Sequence, residues 1–240
     1  MKIKITIITL TIITIMLSSI PADAGDIKLT GYGVKGGLCI AKWRGSDASI
    51  VIDHATMKKT DPESLTKFTF GGFAELSLSP AFAIQPEVYY VTRGTKYSEQ
   101  GLIFRFDVNY LEIPILFKYT IHKPENIKPF LYVGPDIAFR MSTSANETQG
   151  DASFDFEPKN IRAIDAGLVF GAGMGLTLKN RELIFEIRYT LGITKVQSDV
   201  DALVDFGDNL FGAENWGDIY INDAADIKNG TLMFLAGFEF

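Results

Sequence analysis

Thr231-Leu-Met-Phe-Leu-Ala-Gly-Phe-Glu-Phe240 carries an apolar residue at every second position up to the terminal carboxylate. Leu232, Phe234, Ala236, Phe238 and Phe240 share one face, and Thr231, Met233, Leu235, Gly237 and Glu239 share the other. Period two is the mark of a β-strand. A strand that crosses a bilayer requires it, because hydrocarbon offers backbone N–H and C=O groups no partner. Only helices and closed barrels therefore span, and a barrel strand shows lipid one face and its interior the other. A half-buried soluble strand alternates too, so the rest of the chain has to decide.

The other end of the chain points to export. Lys2 and Lys4 precede an apolar run over 5–20, and Ala22-Asp-Ala24 supplies a small-x-small cleavage pattern. The reading is a signal peptide over 1–24, cleaved after Ala24, and one domain over 25–240, with an N-terminal apolar anchor as the alternative. The domain would hold 216 residues with 21 basic and 28 acidic side chains, a net charge of −7 that argues against nucleic acid as a partner. Cys39 is the single cysteine, which excludes an internal disulfide and a cysteine-rich metal site. Charged residues and glycines interrupt every later apolar stretch, so a membrane crossing by the domain has to be made by strands.

Period two recurs in eight segments, 31–43, 66–78, 81–95, 104–121, 127–143, 163–178, 182–196 and 230–240. Each is near or above the ~9–11 residues that a tilted membrane strand needs. In the sixth, Ile164, Ala166, Leu168, Phe170, Ala172, Met174, Leu176 and Leu178 face one way, and a file containing Gly167, Gly171, Gly173 and Gly175 faces the other. Such a file suits a narrow interior crowded by neighbouring side chains. Three connections are short, at 79–80, 122–126 and 179–181, and four are read as long, at 44–65, 96–103, 144–162 and 197–229. They alternate along the chain, as short periplasmic turns and long external loops do in outer-membrane barrels. The fold expected is all-β, an eight-stranded antiparallel transmembrane up-and-down β-barrel.

The fourth segment breaks phase. Phe104, Phe106, Val108 and Tyr110 are apolar against Arg105, Asp107 and Asn109, but from Leu111 the apolar file becomes Leu111, Ile113, Ile115, Phe117 and Tyr119. One extra residue near Tyr110, a β-bulge, would repair the phase, and Pro114 predicts a further irregularity because it has no N–H to give the ladder.

Tyr110-Leu-Glu-Ile-Pro-Ile-Leu-Phe-Lys-Tyr119 resembles a strand of the PorT-like, porin-family outer-membrane barrels, and Lys128-Pro-Phe-Leu-Tyr-Val-Gly-Pro135 resembles the strand that follows it. Asp165-Ala-Gly-Leu-Val-Phe-Gly-Ala-Gly-Met-Gly175 and Glu186-Ile-Arg-Tyr-Thr-Leu-Gly192 are similar to the family's sixth and seventh strands, in the same order. The resemblance covers nearly all of the domain. It implies a small eight-stranded barrel in the bacterial outer membrane, and one member of the family acts in type IX secretion.

Eight strands enclose a space just wide enough for side chains to fill. The inward positions read from the alternation are Lys35, Glu75, Glu87, Arg93, Glu112, Lys118, Asp136, Arg140, Asp165, Glu186, Arg188 and Glu239, and such groups must pair because an unpaired buried charge is costly. A salt-bridged plug follows, with an ion pathway as the alternative. No catalytic set stands out, since His54 falls in a long loop and His122 in a short turn at the opposite end. The 197–229 loop offers a binding surface at Asp199, Asp201, Asp205, Asp208, Trp216 and Asp218, with carboxylate spacing that does not match an EF-hand, so neither a metal nor a cofactor is expected.

The function expected is a non-enzymatic, monomeric outer-membrane barrel whose loops meet a surface or secretion partner and whose C-terminal Phe240 addresses the barrel-assembly machinery. A small selective pore and an accessory of type IX secretion are the alternatives. A soluble lipocalin-like binder is a further reading, and it would reverse every face assignment, with apolar residues inside and charges outside.

Overall fold

The computed structural model describes residues 28–53, 58–121, 126–150, 152–158, 161–179, 181–196, 202–204, 219–221 and 226–240. Its strands are β1 (Lys28–Arg44), β2 (Ile50–Asp53), β3 (Lys58–Thr60), β4 (Leu65–Ser77), β5 (Phe82–Glu99), β6 (Leu102–Thr120), β7 (Ile127–Gln149), β8 (Ala152–Phe156), β9 (Ile164–Leu178), β10 (Arg181–Gly192), β11 (Ala202–Val204), β12 (Ile219–Ile221) and β13 (Lys228–Glu239). The expected signal peptide over 1–24, both histidines and the six loop residues from Asp199 to Asp218 lie outside the described residues.

Eight of these strands ring closed. Each of β1, β4, β5, β6, β7, β9, β10 and β13 pairs antiparallel with the next in chain order, and β13 returns to β1. The closing register runs from Gly33↔Glu239 to Arg44↔Lys228, and the Phe240 N–H donates to the Tyr32 carbonyl at 2.8 Å. The C-terminal segment is thus the stave that removes the last open edge. Closure satisfies the backbone that an edge would leave unpaired.

The alternation resolves into an apolar outside and a filled inside. Val34, Phe70, Phe117, Leu131, Phe170, Ile187, Phe234 and Phe238 all point away from the barrel and are 44–65% exposed, and Phe68 reaches 79%. This belt ends sharply at the loop end, where the outward positions become Lys42, Thr66, Thr92 and Asn109. Charges lie on the inner face, the reverse of what a lipocalin-like binder needs. Aromatic pairs flank the belt, with Phe82 against Tyr119 (5.1 Å between ring centroids) at the turn end and Phe70 against Tyr90 (5.7 Å) near the loop end.

The phase break in β6 has a different origin from the one expected. Phe104, Phe106, Val108, Tyr110, Glu112, Leu116 and Lys118 are all buried at every second position, so β6 keeps one inward face throughout. A register shift does occur between Asn109 and Tyr110, but the pairing passes from Asn109↔Ser142 to Tyr110↔Arg140, which puts the extra residue, Met141, on β7. What inverts is the surroundings. Below Tyr110 the outside is apolar and the inside charged; above it the strand leaves the belt, the outside turns polar and the inside becomes an apolar cluster. The Pro114 irregularity is present as a gap without a change of register, since the β5–β6 ladder passes from Pro86↔Ile115 to Tyr89↔Glu112 and skips Ile113 and Pro114.

One loop assignment is corrected. The 96–103 connection is not a long loop, because the β5–β6 ladder continues through Ser98↔Ile103 to Glu99↔Leu102 and turns over Gln100 and Gly101, both at positive φ (48° and 85°). That is the conformation of a two-residue hairpin with a type I′ turn, whose twist matches its strands. The other three loop-end connections carry their own structure: β2 pairs with β3, β8 extends the sheet beyond β7, and β11 pairs with β12. Outside the belt, the Lys96 ammonium, 2.8 Å from Glu63, holds that carboxyl below its usual range, and Lys228 does the same for Asp226.

Candidate functional site in the barrel lumen

The inward faces build the lumen in layers from the turn end upward. At the turn-end mouth Lys118 Nζ donates to Glu75 Oε2 at 2.6 Å and to Gln85 Oε1 at 3.3 Å, and its ammonium sits 4.4 Å from the Phe130 ring centroid. Lys128 reaches Glu182 at the same mouth, where Glu239 is part-exposed. An exposed rim charge contributes little; its neighbours deeper in have to be paired.

The middle layer is balanced. Lys35 donates to Glu87 Oε1 at 2.8 Å and also to Glu186, while Arg188 lies 2.7 Å from Glu87 and 2.9 Å from Glu186. Two cations thus bridge two carboxylates, every side chain being at most 1% exposed. Aromatic faces finish the layer: Phe73 lies 4.3 Å from Lys35 Nζ, Tyr89 lies 4.9 Å from the Arg188 guanidinium, and Tyr132 Oη donates to Glu186 at 3.2 Å.

The upper layer is unbalanced. Arg93, fully buried, donates from Nη2 to Glu112 Oε2 at 2.6 Å and to Asp136 Oδ2 at 2.9 Å, and from Nη1 to Asp165 Oδ2 at 2.8 Å. Asn229 adds a bond to Asp165 Oδ2 at 2.8 Å, and Thr194 donates to Asp165 Oδ1. Beside this layer Cys39 is buried, its S–H directed to the Thr92 carbonyl at 3.4 Å.

An apolar lid closes the loop end. Trp43, Tyr97, Phe104, Phe106, Val108 and Tyr110 pack with Ala48, Ile161, Val196 and Ile227, the last four supplied by the connections outside the ring. The Tyr97 hydroxyl donates to the Ala48 carbonyl at 2.6 Å, and burial holds its phenol above the ordinary range.

The alternation therefore places eleven of the twelve inward residues read from the sequence on the lumen side. Arg140 is the exception: it is exposed, opposite Tyr110 and next to the Met141 irregularity. Gln85, Tyr89, Tyr132, Glu182 and Asn229 complete the network; none is among the twelve inward positions read from the sequence, although each lies at the same parity as one that is.

The β9 glycine file has its physical reason here. A Cβ on Gly171 would come within 2.6 Å of both Tyr132 Oη and the Ile187 carbonyl. Gly171→Leu is expected to lower stability by about 1–3 kcal/mol through overpacking, read from urea unfolding in lipid vesicles. A variant as stable as the parent would show that the lumen has room to spare.

A family model described as an outer membrane protein beta-barrel domain matches residues 24–198. Among solved structures, the chain is similar to neisserial surface protein A (14% identity, 87% of this chain and 95% of that one, TM-score 0.41). It is also similar to Ail, the attachment invasion locus protein of Yersinia pestis (13%, 89% and 100%, TM-score 0.39), and to OprG of Pseudomonas aeruginosa (11%, 88% and 95%, TM-score 0.47). No curated protein matches the chain.

Proposed function

This chain belongs to the outer membrane protein β-barrel domain family, and we propose that in the bacterial outer membrane it acts as a non-enzymatic, monomeric barrel with a closed lumen. Its work at the surface then falls to the loop-end hairpins. The observation that carries the reading is the lumen filling: ion-paired layers below and an aromatic lid above leave the eight-stranded ring occupied by its own side chains. Outer-membrane lipid covers the apolar belt, Phe240 addresses the assembly machinery, and a surface or envelope partner meets the hairpins.

Planar-bilayer recording tests the closed lumen. The purified protein is expected to give no discrete conductance steps; stable steps of uniform size would favour the small selective pore instead.

A further inference from the structure

The layer around Arg93 carries more negative charge than its partners neutralise. The two buried layers together hold five carboxylates, Glu87, Glu112, Asp136, Asp165 and Glu186, against three cations, Lys35, Arg93 and Arg188. The middle layer is neutral by itself, so the surplus belongs to the upper one. That surplus is two charges: hydrogen bonds from Asn229 and Thr194 stabilise one of them on Asp165, while the other, at 0–2% exposure and with no counter-ion, is too costly to persist, so a buried acid takes up one proton.

Hydrogen bonding says which acids take it. Asp165 has both oxygens occupied, Oδ2 by Arg93 and Asn229 and Oδ1 by Thr194. Glu112 and Asp136 each bond the same Arg93 Nη2 through one oxygen, while Glu112 Oε1 and Asp136 Oδ1 are buried with no hydrogen-bond partner among the described residues. Glu112 Oε2 and Asp136 Oδ2 both lie within 2.9 Å of that nitrogen, so the two carboxylates are close enough to repel, and one proton on the pair relieves them. Among the described residues no cluster of acids, histidines or cysteines has the geometry to hold a metal ion, which leaves the proton as the cation that fits.

We propose that the Arg93 layer is a proton-binding site, one proton being shared between Glu112 of β6 and Asp136 of β7 while Asp165 of β9 stays ionised. Arg93 of β5 and Arg188 of β10 face the pair as cations, and Cys39 of β1 and Tyr110 of β6 are the neighbouring neutral groups. The transfer is a simple association: a solvent proton binds the carboxylate pair, and its departure restores two adjacent charges under the apolar lid. The lumen therefore carries a site that responds to proton activity without being an open channel. This inference rests on the closed lumen.

Infrared spectroscopy of the folded protein in detergent micelles tests it. A carbonyl band of a protonated carboxylic acid is expected at neutral pH, and it is expected to vanish in both Glu112→Gln and Asp136→Asn but to persist in Asp165→Asn. No such band in the parent, or a band undiminished in both amide variants, overturns the proposal. Where one amide variant fails to refold the other carries the test; failure of both overturns it, since an amide stands in for the protonated acid. Conductance measured on the same preparation separates the two readings, because a silent protein without the band overturns only the proton site, while a conducting one overturns the closed lumen.

Discussion

Arg93→Met is expected to destabilise the barrel more than any other single lumen substitution. The guanidinium is fully buried and makes ion pairs of 2.6, 2.8 and 2.9 Å with Glu112, Asp165 and Asp136, three acids from three different strands. Methionine fills a similar volume but leaves those acids without their common cation. Removing one partner of a buried pair costs about 3–5 kcal/mol, because the remaining charge keeps its desolvation penalty and loses its compensation. Here one cation serves three acids, so the loss falls at the upper end of that range. Urea unfolding from lipid vesicles measures it. Lys118→Met, at the part-exposed mouth, is expected to lose much less, since water can solvate Glu75 there. Equal losses at the two positions would mean that the upper layer is as wet as the mouth.

Ile187→Arg is the second large effect, and it acts from outside the barrel rather than from its lumen. Ile187 points outward from β10, halfway along the file Leu183, Phe185, Ile187, Tyr189 and Leu191, and pairs across to Phe234 and Ala172 on the same apolar surface. Its neighbours in sequence, Glu186 and Arg188, sit inside at 0–1% side-chain exposure. A guanidinium at the bilayer midplane of a barrel costs about 2–4 kcal/mol, falling to about 0–1 kcal/mol near the interface. Ser144→Arg, exposed on β7 beyond the belt, is therefore the control and is expected to change stability little. The comparison is made by unfolding in vesicles. If the two variants lost the same amount, the outward file at Ile187 would not be facing hydrocarbon.

Much of this was legible in the residues. Segment 231–240 announced its alternation, and its period set which residues share a face in β13 as it did in β9 and β10, because side chains on a strand alternate whatever the strand packs against. The Arg93, Glu112, Asp136 and Asp165 positions could be placed on one side of their strands for the same reason. Their pairing could not, since it depends on the axial register between strands far apart in sequence. The hairpin at Gln100 and Gly101 was hidden because its flanking strands outrun the bilayer, so polar residues such as Lys96, Ser98 and Glu99 looked like loop.

Beyond period, the alternation says nothing about what lies on either side of a strand. In β6 the apolar residues change faces at Tyr110, and by sequence that reads as a slipped phase. Only the closed ring, with a lipid-facing belt below and an apolar lid above, decides that the strand is continuous and that its surroundings change. The side-chain alternation is local covalent geometry; inside and outside, apolar or charged, exist only once eight strands have closed around a common axis.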